Sequence, residues 1–229
     1  MFSELALVAS SRIHFDNGNY NRAVNQYMRL LEIASDPANI REAKIGVMRC
    51  YYQLEEYANT IAAAADVLQM EKRSAEIERE AWYKTAKSHM ALNRTEMALE
   101  YFRRNAVDVS SEEGAESKFR VAEILYEKTR AQTDNYSAAL KEVEDEIYEF
   151  IDMNTPHQYW MGKAFLLLSD VYLRLGDEFQ AIHTLKSIID YYTIPDDGIL
   201  EEAQRRHDNL AANVDSEMID EIDTINDLQ

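Results

Sequence analysis

The chain has 229 residues, 46% of them hydrophobic and 29% charged, with only 6 glycines and 3 prolines. Sheet proteins turn at short intervals and draw on Gly, Pro and Asn to do so, so this scarcity excludes a sandwich, barrel or propeller and predicts an all-α chain with short connections. A formal charge of −18, from 42 acids against 24 bases, repels phosphate backbones and anionic headgroups and argues against general nucleic-acid binding.

The predicted elements are helix pairs. The first, over residues 4–36, breaks at Asn17-Gly18-Asn19-Tyr20 and resumes with Ala23, Val24 and Tyr27. The second, over 38–70, turns at Glu55-Glu56-Tyr57 ahead of Thr60 and Ile61, with Gly46 inside its first helix. The third, over 79–110, carries Trp82, Thr85, Ala86 and His89 at i, i+3, i+4, i+7 spacing, then turns at Asn93-Arg94-Thr95 before Ala98, Leu99 and Phe102. The fourth, over 115–153, has an insertion near 127–133 and turns at Asp134-Asn135-Tyr136 before Ala138-Ala139-Leu140. The fifth, over 158–194, has Phe165, Leu168, Ser169 and Tyr172, then Leu175-Gly176-Asp177, Ala181, Ile182 and Leu185. One small-residue slot falls at Ala23, Thr60, Ala98, Ala139 and Ala181, at successive spacings of 37, 38, 41 and 42 residues. Past Asp197-Gly198 a cap helix is expected over 199–212. The stretch 213–229, with six acids and no bases, reads as a flexible or loosely helical tail, or as an acidic short motif that binds a partner or folds back.

A helix-turn-helix unit at this period resembles the tetratricopeptide repeat. The carrying residues are Leu175-Gly176-Asp177 with Ala181, Asn17-Gly18-Asn19-Tyr20 with Ala23, and Trp82, with Pro37 and Pro195 just beyond second helices. The resemblance covers residues 4–195 and implies an α-α superhelix of about five repeats plus a C-terminal capping helix. It further implies a non-enzymatic scaffold or adaptor that binds a peptide or partner protein on its concave face. A peptide-sensing regulator and an all-helical enzyme are the alternatives from other classes. The sequence departs from the family in its period, about 34 residues in the standard repeat, in Lys44 where a bulky aromatic is usual, and in Thr60 in the alanine slot. The acidic, Tyr-rich style, notably Ile151 to Trp160, resembles repeat proteins of bacterial cell envelopes. That implies an envelope or periplasmic location if the chain belongs to a longer exported protein, and a cytoplasmic one otherwise.

No chemistry is predicted. None of His14, His89, His157, His183 and His207 has a glutamate three residues before it, and no HExxH, GxSxG or GxGxxG phrase occurs. No catalytic, metal or cofactor residue is therefore assigned, and no cofactor. Cys50, the only cysteine, excludes an internal disulfide or CxxC site and is expected in the core. The acid run Glu142, Glu144, Asp145, Glu146 and Glu149 reads as a solvated helix face. No stretch approaches the roughly 20 apolar residues of a membrane helix, so direct membrane insertion is not expected.

The family resemblance places first helices on the concave face. Aligned by repeat, their inward rows are Leu5, Val8, Arg12, Phe15; Glu42, Ile45, Arg49, Tyr52; Glu80, Tyr83, Lys87, Met90; Glu116, Phe119, Glu123, Tyr126; and Lys163, Leu166, Asp170, Leu173. Arg12, Arg49 and Lys87 share one slot and predict a basic stripe, flanked by exposed Phe15, Tyr52, Tyr83, Phe119 and Tyr126, aromatic types favoured at binding hot spots. The stripe turns acidic at Glu123 and Asp170. The competing reading pairs these cations with Glu42 and Glu80. No polar cap precedes the first pair, so Leu5, Leu7 and Val8 are expected to be partly bare, covered by further N-terminal repeats or a partner, or left as a frayed helix. Bare ends of this kind could also pair end to end.

Overall fold

The computed structural model describes residues 3–130 and 136–226, with side chains as far as residue 212. Eleven α-helices and no strand occur among the described residues: α1 (Glu4–Asp16), α2 (Tyr20–Ile33), α3 (Pro37–Gln53), α4 (Tyr57–Leu68), α5 (Ala75–Ala91), α6 (Thr95–Asn105), α7 (Glu112–Thr129), α8 (Tyr136–Asp152), α9 (Gln158–Leu175), α10 (Glu178–Tyr191) and α11 (Ile199–Asn226). They form two compact units, Met1–Val107 with α1 to α6 and Asp108–Gln229 with α7 to α11. Within each unit, consecutive helices pack on one another. None of the described helices is long and apolar enough to cross a membrane.

Two kinds of connection alternate. Four of the helices that open a pair are capped by side chains: Ser3, Asp36, Ser74 and Ser111 accept from the amides of Ala6, Ala38, Ile77 and Gly114, satisfying donors that a helix start leaves unpaired; α9 begins after His157 without such a cap. Inside a pair the turn is made by one left-handed residue. Gly18, Glu55, Asn93 and Gly176 have φ of 72°, 58°, 56° and 80°. The following amides, of Asn19, Glu56, Arg94 and Asp177, donate to the carbonyls of His14, Tyr51, His89 and Tyr172, the six-to-one bond of a Schellman ending. Each left-handed residue lies five before the small-residue slot, so the repeated phrase is a repeated backbone turn. The fourth copy, Asp134-Asn135, lies outside the described residues.

Glu55 is the one residue in this set with neither glycine's freedom nor asparagine's tolerance of the left-handed region. Glu55→Gly is therefore expected to raise stability by about 0.5–1 kcal/mol. A lower urea midpoint in the variant would contradict this account of the turn.

The slot residues Ala23, Thr60, Ala98 and Ala181 are fully buried. In the fourth pair Leu140 is fully buried instead and Ala139 only half. A one-residue offset turns a helix by about 100°, so α8 presents a larger side chain at its closest approach. The acid run on α8 is only partly solvated. Glu146 and Glu149 hold the buried Lys118 ammonium of α7 at 2.6 and 2.8 Å, and buried Glu144 accepts from Tyr172 of α9 at 3.3 Å. At the C-terminal end the helix expected to stop at Ala212 runs unbroken to Asn226.

Candidate functional site

In the Met1–Val107 unit, α1, α3 and α5 line a cavity of about 480 Å³. Its walls are Arg12, Phe15 and Asp16 of α1, Tyr27 of α2, Arg41, Glu42, Ile45, Gly46 and Arg49 of α3, and Ile77 of α5. Gly46 explains how Tyr27 reaches it. A Cβ on Gly46 would stand 2.4 Å from the Tyr27 ring, so the missing side chain is what lets the ring lie against α3. Burial, reinforced by nearby Glu42, pushes the Tyr27 hydroxyl up to about 12, so it is a neutral phenol at physiological pH.

The expected basic stripe is largely committed within the protein. Arg12 reaches forward to grip Glu42 through two nitrogens. Arg49 does the same to Glu80, at 2.8 and 2.6 Å. Burial alone would raise the Glu80 carboxyl, but the Arg49 hydrogen bonds and charge outweigh it and hold the group below its usual range. Lys84 adds a contact to Glu80 at 3.5 Å and sits 4.2 Å over the Tyr52 ring. Lys87 lies 5.7 Å over Tyr83. The result is two rungs, from α1 and from α3, each to the glutamate that opens the next row, while Lys87 of α5 rests on a ring of its own helix. Arg41 is different. It lines the cavity half-buried and has no hydrogen-bond or ion-pair partner among the described residues. Sequence reasoning missed it because it sits one residue outside the inward row.

In the Asp108–Gln229 unit a second cavity, about 430 Å³, opens between α7, α9 and α11. Five carboxylates line it, from Glu123, Glu127, Asp170, Asp197 and Glu202, against Lys163 and Arg206. Arg206 bridges Glu202 at 2.6 Å and Asp170 at 2.8 Å. Tyr126 is half-buried under the Arg174 guanidinium at 5.3 Å. Phe119, expected as an exposed aromatic, is only 2% exposed and tilts against Trp160 with centroids 5.7 Å apart. The inward row puts its backbone on the right face, but Trp160 and Arg120 cover the ring. Arg12, Phe15 and Arg49 therefore meet in one cavity and Phe119 and Tyr126 border another, while Tyr52, Tyr83 and Lys87 line neither.

His89 is buried and stacks on Tyr101 at 5.8 Å, and burial lowers its tendency to protonate. The Cys50 thiol is buried and pushed up to about 12 by desolvation, far from the reactive thiolate range. No group of three His, Cys, Asp or Glu among the described residues is placed to hold a metal ion.

Family models described as tetratricopeptide repeat match residues 80–104 and 163–193, and, in a second version, residues 6–37. Each matched stretch spans one helix pair of the structure. Among solved structures, the chain is similar to YrrB, described as a TPR protein with an unusual peptide-binding site, at 18% identity and a TM-score of 0.59, covering 89% of this chain and 92% of that one. It also matches the TPR domain of P58(IPK), at 14% identity and TM-score 0.46 over 92% and 66% of the two chains. A tetratricopeptide repeat protein from Parabacteroides merdae matches at 12% identity and TM-score 0.42 over 88% and 83%. The fold likeness rests on the first of these. No curated protein matches the sequence.

Proposed function

Because the chain is a tetratricopeptide-repeat protein, a fold whose partners are proteins or peptides, we propose that it is a non-enzymatic scaffold whose Met1–Val107 cavity takes an acidic segment of its partner. The carrying observation is Arg41, the cavity cation that no carboxylate neutralises among the described residues. An arginine fork offers paired donors that suit a carboxylate. Phe15, Ile45 and Ile77 beside it supply apolar area for a neighbouring aliphatic or aromatic residue. Arg12 and Arg49 serve in this reading as walls held by Glu42 and Glu80, while Tyr52, Tyr83 and Lys87 extend the contact along the same unit. Phe119 and Tyr126 belong with the acidic cavity of the other unit, which suits a basic segment. The net charge of −18 favours a protein partner over nucleic acid. An adaptor role in a bacterial envelope remains part of this proposal and rests on the resemblance of residues 151–160 alone.

A peptide library selected against the immobilised chain tests it. Enriched sequences should carry Asp or Glu next to an apolar residue. Arg41→Glu should weaken the best of them at least tenfold, about 1.4 kcal/mol, with an unchanged thermal midpoint. Enriched peptides without acids, or binding indifferent to Arg41→Glu, would sink the assignment.

A further inference from the structure

Tyr27 holds a position that repeat spacing assigns to packing, but its polar end is unused by the fold. It lies one turn after the small-residue slot at Ala23, as Phe102 does after Ala98 and Leu185 after Ala181. Like them it is buried, at 5% exposure. Unlike them it carries a hydroxyl, and that hydroxyl has no hydrogen-bond partner among the described residues. The oxygen is not shut off from solvent, so it opens on the cavity whose wall the ring forms. Gly46 fixes where it stands. The ring lies against this glycine, and Glu42 and Arg49 fall four residues before and three after it, on the same face of α3. Both line the cavity and both are committed, Glu42 to Arg12 and Arg49 to Glu80. Each arginine makes its pair through Nε and Nη2, which leaves Nη1 without a partner among the described residues. The cavity wall thus carries three unused donors where the neighbouring charges are already paired.

A carboxylate would be poorly received at this point. It would stand near Glu42 and share a wall with Asp16. The burial that keeps the phenol protonated also disfavours a second negative charge in the same place. An uncharged acceptor meets neither cost. We propose that Tyr27 donates its hydroxyl proton to an uncharged carbonyl oxygen of the bound peptide, so that the cavity receives charge at Arg41 and a neutral acceptor at Tyr27. A main-chain carbonyl and the side-chain carbonyl of Asn or Gln present the same chemistry to the phenol. The inference rests on the reading of this cavity as a peptide site and not on the acidity of the peptide.

Tyr27→Phe keeps the ring and removes only the donor. Peptides selected from a library against the full chain should bind this variant about three- to tenfold more weakly, the size of one neutral hydrogen bond. Its thermal midpoint should be no lower than the parent's, because the hydroxyl bonds nothing inside the fold. Replacing the peptide's acidic residue by alanine should leave that factor unchanged, since Arg41 meets the acid and Tyr27 does not. A second selection against the Arg41→Glu chain separates the two readings. Peptides recovered there should lose the same factor when Tyr27→Phe is added, whether or not the acidic-segment assignment holds. A factor that disappears when one Asn or Gln of the peptide is replaced by alanine places the oxygen on that side chain, and one that survives alanine at every position places it on the main chain. Equal affinity of parent and Tyr27→Phe, a factor that vanishes with the peptide's acid, or a lowered thermal midpoint overturns the proposal. A library without binders to either chain overturns it together with the peptide reading.

Discussion

Gly114→Ala is expected to lower the stability of the Asp108–Gln229 unit by about 3 kcal/mol, at the upper end of what overpacking usually costs. The new Cβ would stand 1.9 Å from the Asp108 carbonyl oxygen and 2.8 Å from its carbon. Both are backbone atoms, so no side-chain rotation relieves the clash. Nor can the loop retreat cheaply. The Asp108 carbonyl accepts from the Ser111 hydroxyl, whose oxygen caps α7 through the Gly114 amide, each at 3.1 Å. The next two carbonyls are pinned as well, Val109 by the Thr155 hydroxyl at 2.6 Å and Ser110 by the His157 ring at 3.0 Å. Any shift at Asp108 therefore pulls on the start of both α7 and α9. Alanine's helix propensity returns about 1 kcal/mol at most, too little to reverse the sign. Urea unfolding checks the size, and faster amide exchange in α7 than in α5 checks the location. A midpoint within error of the parent would mean that the loop is free to move.

The second large effect is Phe102→Ala, expected to cost about 3–5 kcal/mol. Phe102 is fully buried on α6, in the same stripe as Ala98, Leu99 and Asn105. Interiors are close-packed, so removing the ring leaves a cavity that the helix pair cannot fully close. Phe179→Ala is the informative contrast. This phenylalanine is 68% exposed and touches His183 edge-on, with centroids 4.3 Å apart, so its removal should change stability by no more than about 0.5 kcal/mol. Equal losses in the two variants would show that burial is not what sets the cost.

The two phenylalanines also show where the amino-acid order was legible and where it was not. Phe102 falls one helical turn after the small-residue slot, and that spacing is enough to place it inside. Phe179 falls in the variable position of the turn phrase, where the same residue type carries no such information. The turns themselves were readable because their hydrogen bonds close within six residues. Glu55 and Asn93 take up the same left-handed geometry as Gly18 and Gly176, although only the glycines advertise it. The fourth pair was read less well. The small-residue spacing points to Ala139, yet Leu140 is the residue that faces inward, and one residue of offset turns a helix by about 100°.

The candidate site divides along the same line. Its backbone positions followed from repeat spacing, since equivalent residues of equivalent helices share a face. Which charges remain available did not follow, because the pairs that answer it, Arg12 with Glu42 and Arg49 with Glu80, join residues 30 and 31 apart through side-chain geometry. Both acids lay in the inward rows, but their pairing needs two helices at a definite separation. Phe119 is covered by Trp160, and α11 continues past Ala212 to Asn226, for reasons equally remote from local spacing. Helix pairs, turns and slots thus depend on bonds and contacts within one 40-residue unit, which the order of residues encodes directly. Arg41 as the open cation and two cavities in place of one stripe depend on how neighbouring pairs meet. There a single rotamer or one turn of register decides which group is spent on the fold and which is left uncommitted.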